Sequence, residues 1–275
     1  MTTALFATIE AMWDDPERTG HPDIGAAIAE VMHLIDGGNV RCATTANGTW
    51  VVNQPVKKAI ALYFRTSQVS SYTVGPIEYR DKFPIKRNFD GIGVRVVPPA
   101  CVRYGAYLSP GVTLMPSFVN LGVWIGADTL IDTWVSVGIG AQIGAEVTIL
   151  PGTVIGGALD PITARPVIVE DRCYLGTRCI LAGQVIVGRG AIVGPSVAVT
   201  PTTPLIDITK DPASFLDLEV PPEAIVSQGS WPIKNATTSF MVPAALVVGY
   251  RDWAISPTEN LLNAFKRLSL ADEAN

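Results

Sequence analysis

The stretch "WIGADTLIDTWVSVGIGAQIGAEVTILPGTVIG", residues 124–156, repeats one short pattern. Aliphatic residues recur every six positions, at Ile125, Ile131, Val137, Ile143, Ile149 and Ile155. Four places after the first five come small residues: Thr129, Val135, Ala141, Val147 and Thr153. A period of six fits neither a helix nor simple strand alternation. It fits one side of a triangular prism, in which three hexapeptides make a coil and stacked coils bury an aliphatic column.

The same period continues on both sides of this stretch. It resumes after "GALDPITARP" and again after a second insertion, at Val169, Leu175, Leu181, Val187, Val193, Val199, Leu205, Val220 and Val226. Upstream, poorer residues keep the spacing at Cys101, Tyr107, Thr113 and Val119, as is typical of atypical terminal repeats. We therefore predict a prism over about residues 95–230, with loops at 157–166 and 206–219. Loops on a rigid scaffold commonly carry function.

The flanking sequence lacks the period. Residues 1–94 predict a small mixed α/β domain, 95–235 the prism and 236–275 a strand and helix segment. Helical spacing in "PDIGAAIAEVMHLIDGG" and in "QPVKKAIALYF" predicts two helices, and Asn47-Gly48 predicts a hairpin between them. The tail "SPTENLLNAFKRLSL" predicts an amphipathic helix capped by Ser256, which we expect to close the open end of the prism.

Composition limits the classes of function. The 275 residues are 48% hydrophobic and 16% charged, with mean hydropathy +0.32, which predicts a globular protein with a large core. A net charge of −5 without basic runs excludes a nucleic-acid footprint. No apolar run approaches the roughly 20 residues of a membrane span, and the first residues lack a signal-peptide pattern. We expect a cytoplasmic protein without nucleic-acid or membrane partners.

Cysteine and histidine usage excludes several enzymes. The four cysteines, Cys42, Cys101, Cys173 and Cys179, form no CxxC pair, which predicts structural thiols and no metal site. Both histidines, His21 and His33, precede the prism. A prism without histidine excludes hexapeptide acetyltransferases with an imidazole base and prism-type carbonic anhydrases. The 90 N-terminal residues lack the Gly-rich loop of sugar-nucleotide pyrophosphorylases.

Asp132 in "LIDTWVSVGIG" has two interpretations on the repeat alone. An aspartate directly after the aliphatic residue of a hexapeptide is permitted as a corner residue. It is also a carboxylate in a position to act as a general base. The period by itself leaves both open.

Longer stretches resemble a known family. "VNQPVKKAIALYFR", "DKFPIKR", "GVRVVPPA", "GAYLSPGVTLMPSFVNLG", "LIDTWVSVGIGAQIG", "TVIGGALDP", "VIVEDRCYLGTR" and "VPPEAIVSQGSWP" follow one another, over about residues 50–230, as in the tetrahydrodipicolinate N-succinyltransferases of lysine biosynthesis. The resemblance implies a mainly β fold, a left-handed parallel β-helix of hexapeptide repeats with a small helical N-terminal domain. It also implies a homotrimer that binds acyl-CoA in the groove between neighbouring prisms.

The resemblance further implies a chemistry and its residues. An amine attacks a thioester carbonyl, which requires a base for the proton and donors for the developing negative charge. Asp132 of the DTW motif is the implied base, and Arg95 is implied to hold a carboxylate of the dicarboxylate substrate. Ser117 and Asn120 of "LMPSFVN" are the other implied substrate ligands. The implied ligands of the cosubstrate, a coenzyme A thioester, are Gly156, Gly157, Ile139, Gly140 and Arg251. Gly156 and Gly157 are equally explained as turn residues.

Three departures from the family pattern bear on the donor. Ile180 in "GTRCI" stands where the family has a glutamate, so a second proton carrier is missing. Ile139 and Gly140 in "VGIGAQIG" replace a serine and a cysteine at the acyl end of the donor site. Val248 and Gly249 replace paired lysines, for which Arg251, Lys210 and Lys234 are candidate substitutes as phosphate ligands.

These departures lead to two hypotheses beside succinyl transfer. One is an acetyl-transferring branch, like those of toxin pathways that copy lysine biosynthesis, such as tabtoxin formation. The other is a catalytically lapsed structural or regulatory trimer. Burying a succinyl carboxylate near Ile139 without a donor is unfavourable, which favours the first of these.

Overall fold

The N-terminal part is a helical unit with two hairpins. The computed structural model describes residues 2–15, 22–234 and 238–271, so His21 lies outside the described residues. In chain order the N-terminal elements are α1 (Thr2–Asp14), α2 (Pro22–Asp36), β1 (Ala43–Ala46), β2 (Thr49–Val52), α3 (Gln54–Thr66), β3 (Ser70–Val74) and β4 (Ile77–Asp81). The predicted helices α2 and α3 and the hairpin β1–β2 are present, and Asn47 and Gly48 turn it with positive φ. Helix α1 and hairpin β3–β4 carry no strong signal in the sequence.

The middle of the chain is the predicted left-handed parallel β-helix. Its strands are β5 (Arg95–Val96), β6 (Cys101–Val102), β7 (Tyr107–Leu108), β8 (Thr113–Leu114), β9 (Phe118–Val119), β10 (Trp124–Ile125), β11 (Leu130–Ile131), β12 (Ser136–Val137), β13 (Gln142–Ile143), β14 (Thr148–Ile149), β15 (Val154–Ile155), β16 (Ile168–Val169), β17 (Tyr174–Leu175), β18 (Ile180–Leu181), β19 (Ile186–Val187), β20 (Ile192–Val193) and β21 (Ala198–Val199). Each strand pairs in parallel with the strand one coil away, as Trp124 does with Tyr107 and Gln142.

The strands form three sheets around the prism. The first sheet contains β7, β10, β13, β16 and β19, the second contains β5, β8, β11, β14, β17 and β20, and the third contains β6, β9, β12, β15, β18 and β21. We call the bends that follow strands of these sheets the first, second and third corners. Because a coil visits the sheets in this order, residues of successive coils stack at each corner.

The prism core is the predicted aliphatic column, with one correction at its beginning. The residues from Ile125 to Val199 at the six-residue spacing are buried as predicted. In the first coils the prediction is wrong by one position: Val102, Leu108 and Leu114 are buried, and Cys101, Tyr107 and Thr113 point outwards half-exposed. The shift arises because Leu114 and Val119, both interior, are five residues apart. Extrapolating the six-residue spacing upstream from Ile125 therefore places the interior residues one position too early before this bend.

The C-terminal part departs further from expectation. Its elements are β22 (Leu205–Asp207), β23 (Ser214–Leu216), β24 (Glu219–Val220), β25 (Ala224–Lys234), β26 (Ser239–Tyr250) and α4 (Pro257–Ala271). The predicted loop 206–219 includes the antiparallel pair β22–β23, whereas 157–166 has no strand. β25 leaves the second sheet as one arm of a long antiparallel ribbon with β26. The predicted domain boundary at 235/236 falls in 235–237, outside the described residues.

Helix α4 begins with the predicted cap but does not close the prism end. Ser256 and Glu259 form a reciprocal capping box, in which each main-chain N–H donates to the other's side chain. Leu261 and Ala264 pack with Ile192 and Ile225 on the outer side of the second sheet. The apolar face of α4 therefore packs against an apolar strip on the second sheet.

Three of the four cysteines are buried packing residues, as predicted, and Cys101 is half-exposed on the third sheet. Cys173 and Cys179 fill small interior positions, and their thiols donate to the carbonyl oxygens of Gly188 and Gly194. Cys42 is buried against Gly122. Among the described residues no cluster of His, Cys, Asp or Glu has a metal-binding arrangement. None of their helices is long and apolar enough to cross a membrane.

Candidate active site

Asp132 lies at the second corner with its carboxylate held in place. Its Oδ1 accepts hydrogen bonds from the Thr133 main-chain N–H (2.6 Å) and from Thr133 Oγ1 (3.1 Å). Its own N–H donates to Ile149 of the next coil, so the residue is fixed at both ends. Within the described residues nothing bonds to Oδ2. One oxygen orients the group, and the other is available for a proton.

Arg95 lies on the outer side of the same second sheet. β5 pairs with β8, and β8 with β11, so Arg95 stands two strands from Leu130 and the Asp132 bend. The arginine is exposed, and no described residue forms an ion pair with it. A free guanidinium fork on this side of the sheet suits a carboxylate ligand.

Ser117 does not join these side chains. By extension of the β9–β12 register it lies beside Val135, which is 1% exposed, in the prism interior. Its Oγ is buried and has no hydrogen-bond partner among the residues that the structure describes. The prediction of a substrate-binding hydroxyl at Ser117 conflicts with this orientation, because a side chain at the small interior position points into the aliphatic column.

Asn120 occupies the third corner and is oriented by its neighbours. Its Oδ1 accepts from its following residue Leu121 N–H (2.9 Å) and from Arg103 Nη1 (3.2 Å). Arg103 is in turn paired with Asp81 of β4 at 2.8 Å. With Oδ1 occupied, the amide nitrogen of Asn120 is the end left to donate to a ligand. Sequence reasoning missed Arg103, because its role arises only where β4 and the prism meet.

The third corner also presents main-chain donors without acceptors. In some coils a side-chain oxygen accepts from the second N–H after a strand, as Asp132 does for Thr133, Asp171 for Ala145 and Glu170 for Arg189. The equivalent N–H groups of Ala127, Thr177 and Gly183 have no acceptor among the described residues. At Ile139 and Gly157, which stack on neighbouring coils, no described residue accepts from the N–H. Such paired donors suit the amide or carbonyl oxygens of a pantetheine arm or a thioester.

The other predicted donor-site residues at this corner have packing roles. Gly140 is buried, has a positive φ of 75°, which favours glycine, and donates its N–H to the carbonyl oxygen of Leu121. Gly156 donates to Leu181, and a Cβ on Gly157 would lie 2.5 Å from Ile139 N. The side chain of Ile139 packs against the N-terminal core. Gly156 and Gly157 therefore let coils approach closely, and the N–H groups of Ile139 and Gly157 remain for a ligand.

Arg251 is not brought to this corner. It lies at the first corner, where Nη1 donates to the carbonyl oxygens of Arg172 (2.8 Å) and Gly190 (3.0 Å). Its guanidinium stacks over Trp253 at 3.8 Å, and burial lowers its pKa. Within one chain Arg251 is a structural clamp, away from Gly156 and Gly157.

The outer side of the third sheet joins the second and third corners. Here Val154 pairs with Ile180, and their side chains are 43% and 45% exposed. Next to them at the second corner, Trp134 is 69% exposed. Apart from Ser136, which pairs with Val154, the strip between Asp132 and the free amides is apolar.

A buried lysine holds the loop that follows Gly157. Lys57 of α3 is 1% exposed and donates to the carbonyl oxygens of Pro161 (3.1 Å) and Ala164 (2.6 Å). Burial lowers its pKa, and Asp160 and Cys42 partly oppose this shift. In the sequence, the signal for this contact is a lysine on the apolar face of a predicted helix, because a buried lysine needs hydrogen-bond acceptors.

Comparison with known proteins identifies the family. A family model described as tetrahydrodipicolinate N-succinyltransferase N-terminal matches residues 4–66. A 2,3,4,5-tetrahydropyridine-2,6-dicarboxylate N-succinyltransferase of Methylorubrum extorquens (strain PA1) is 39% identical over 241 residues, 84% of this chain and 85% of that one. One from Dechloromonas aromatica (strain RCB) is 35% identical over 257 residues, covering 90% and 93%. The chain therefore belongs to the 2,3,4,5-tetrahydropyridine-2,6-dicarboxylate N-succinyltransferase family.

Proposed function

We propose that this chain is an acyl-CoA-dependent N-acyltransferase that transfers a succinyl group to the nitrogen of 2,3,4,5-tetrahydropyridine-2,6-dicarboxylate, a step of lysine biosynthesis. Membership of the family, over 84% of the chain, carries the proposal. The oriented carboxylate of Asp132 and the two free amides at the third corner support it. The relatives are named as enzymes, which gives no support to a lapsed scaffold.

Water first adds across the C=N bond of the acceptor ring, which gives the nitrogen a proton. This nitrogen attacks the thioester carbonyl carbon of the donor, succinyl-CoA, the C–S bond breaks, and coenzyme A leaves as the thiol with the proton that the nitrogen gives up. The proton lost from nitrogen passes first to Asp132 Oδ2, because Thr133 holds Oδ1. The N–H groups of Ile139 and Gly157 provide donors for oxygen atoms of the bound arm. Arg95 and the Asn120 amide bind the acceptor's carboxylates. No cation near the free amides is assigned to the coenzyme A phosphates.

Substituting Asp132→Asn tests the role of the base. Asparagine keeps an oxygen for the Thr133 N–H, so the fold and acyl-CoA affinity should be unchanged. Loss of a general base should lower kcat about 10²–10⁴-fold. Asp128→Asn, at a first-corner position, is the matched control and should retain full activity. Steady-state thiol release and isothermal titration give the two readouts, and wild-type turnover in D132N would contradict the assignment.

The acyl donor is identified by measuring thiol release in the presence of 2,3,4,5-tetrahydropyridine-2,6-dicarboxylate, with succinyl-CoA and acetyl-CoA in separate reactions. The apolar strip of Val154 and Ile180 is the observation that favours an acetyl donor. Exclusive use of succinyl-CoA would contradict the acetyl-transferring branch. If the protein releases thiol from neither succinyl-CoA nor acetyl-CoA, the proposed function is contradicted.

A further inference from the structure

A second cavity lies on the outer side of the first sheet, away from Asp132. It has a volume of about 340 Å³ and is enclosed by hairpin β1–β2 and the first corner. Its lining includes Arg41, Trp50, Trp124, Glu170, Asp171 and Arg189. This volume suits a small metabolite.

Arg41 is held rigidly at this cavity while most of its donors remain unused. Its guanidinium stacks over the Trp124 ring at 3.7 Å, and Nε donates to Gln142 Oε1 at 2.9 Å. Gln142 is 1% exposed and is itself fixed by donating to the carbonyl oxygens of Gly122 and Gly140. Among the described residues nothing accepts from the two Nη atoms. Burial lowers the pKa of Arg41 to about 10, so it is charged at neutral pH.

Carboxylates occupy fixed positions around the same cavity. Glu170 accepts from Trp50 Nε1 (2.8 Å) with one oxygen and from the Arg189 N–H (3.0 Å) with the other. Asp171 uses one oxygen to accept from the Ala145 N–H (2.8 Å). Its second oxygen has no partner among the described residues. The cavity thus combines an unsaturated guanidinium with one free carboxylate oxygen.

We propose that this cavity binds a free α-amino acid, whose carboxylate pairs with the Nη atoms of Arg41 and whose ammonium group pairs with Asp171. A bidentate carboxylate satisfies the guanidinium, and the zwitterion balances the opposite charges of the two side chains. The Trp50 ring lies beside the space left for the amino acid side chain. Such a site is separate from acyl transfer and provides a place for regulation by an amino acid.

Isothermal titration with L-alanine, L-lysine and L-glutamate, without acyl-CoA, tests the site. Propionate and ethylamine each retain one charged group of L-alanine and serve as matched probes. We expect at least one amino acid to bind, with Trp50 and Trp124 fluorescence changing in parallel. We expect propionate and ethylamine to bind at least about tenfold more weakly than L-alanine, the effect of losing one charged hydrogen bond. No heat from any of the three amino acids, or equal affinity for propionate and L-alanine, would overturn the proposal.

Variants locate the binding. Arg41→Met and Asp171→Asn should each weaken it about tenfold or more. Arg65→Met is the matched control, since Arg65 also stacks on a tryptophan, Trp13 at 4.5 Å, outside this cavity. If R41M does not fold, Arg41→Lys replaces it. Lysine keeps the charge but cannot form a bidentate pair, so we expect a smaller loss of affinity than in R41M. Unchanged affinity in D171N and either Arg41 variant would overturn the site. Binding in D132N should equal wild type, which separates this result from the proposed function.

Discussion

At the residue scale, side-chain oxygens cap some of the main-chain N–H groups that follow the strands. Asn120, Asp132, Glu170 and Asp171 supply side-chain oxygens to such groups. The two interpretations of Asp132 are thus compatible, because one oxygen stabilises the corner and the other remains for chemistry. Ile139 and Gly157 lack this capping and stack on neighbouring coils, so their two N–H groups can donate to one ligand.

Thiol reactivity gives a prediction at this scale. Burial raises the pKa of all four thiols, to about 12 for Cys42, Cys173 and Cys179. Cys101 alone is half-exposed, on the third sheet. The thiolate is the reactive form. We therefore expect iodoacetamide at pH 8 to modify Cys101 first, and the other three only after denaturation. Mass spectrometry of digested samples measures this, and equal labelling of all four in the native protein would contradict it.

At the element scale, the loop 157–166 depends on a helix more than 90 residues before it in the chain. Helix α3 begins at an Asn53 cap and buries Val56, Lys57 and Ile60 on one face. Lys57 then satisfies two carbonyl groups of a loop that has no strand partner. The loop follows Gly157 directly, so its anchorage bears on the candidate donor site.

Substituting Lys57→Met tests this anchorage. The carbonyl groups of Pro161 and Ala164 lose their donor, which should cost about 1–3 kcal/mol of unfolding free energy. We expect faster proteolysis within 157–166 and a higher KM for the acyl donor, with kcat less affected. Lys58→Met is the control: it removes a half-buried pair with Glu10 that does not touch the loop, so the KM and the cleavage pattern should stay as in the wild type. An unchanged KM and cleavage pattern in K57M would contradict a positioning role.

The scale of elements also shows the limits of counting residues. The six-residue period located the prism, its aliphatic column and the strand-free loop at 157–166. The period failed at residues 115–118, where one repeat has five residues instead of six. There the pairing of strands with those of the next coil, and not the spacing along the chain, decides which residues point inwards. The period also missed strands β22 and β23, since they pair with each other and with distant β26.

At the scale of the whole molecule, the candidate site residues lie at two edges of one apolar sheet. Val154, Ile180 and Trp134 are exposed there, between Asp132 and the free amides. A contiguous exposed apolar strip on a prism side is typical of an interface. This arrangement agrees with the predicted homotrimer, in which a neighbouring subunit would complete the site.

Sedimentation analysis tests the assembly. We expect a particle of three chains of 29.2 kDa each. Ile180→Lys should shift the population towards the single chain, because a charge on this strip opposes its burial. Ile77→Lys, at an equally exposed residue of hairpin β3–β4, should leave the trimer intact. A single-chain mass for the wild type at micromolar concentration would contradict the prediction.

The sequence by itself determined the class of fold, the interior column and the Asp132 motif, because a hexapeptide coil is a local structure whose spacing is written in consecutive residues. Only the tertiary structure decided which side chains remain available. Ser117 points inwards, and Arg251 donates to carbonyl groups of the first corner. Lys57 holds a loop, Arg103 orients Asn120, and Arg41 lines the second cavity. The roles of Arg251, Lys57, Arg103 and Arg41 depend on partners distant in the sequence, and such pairings follow from packing of the N-terminal part and the ribbon on the prism.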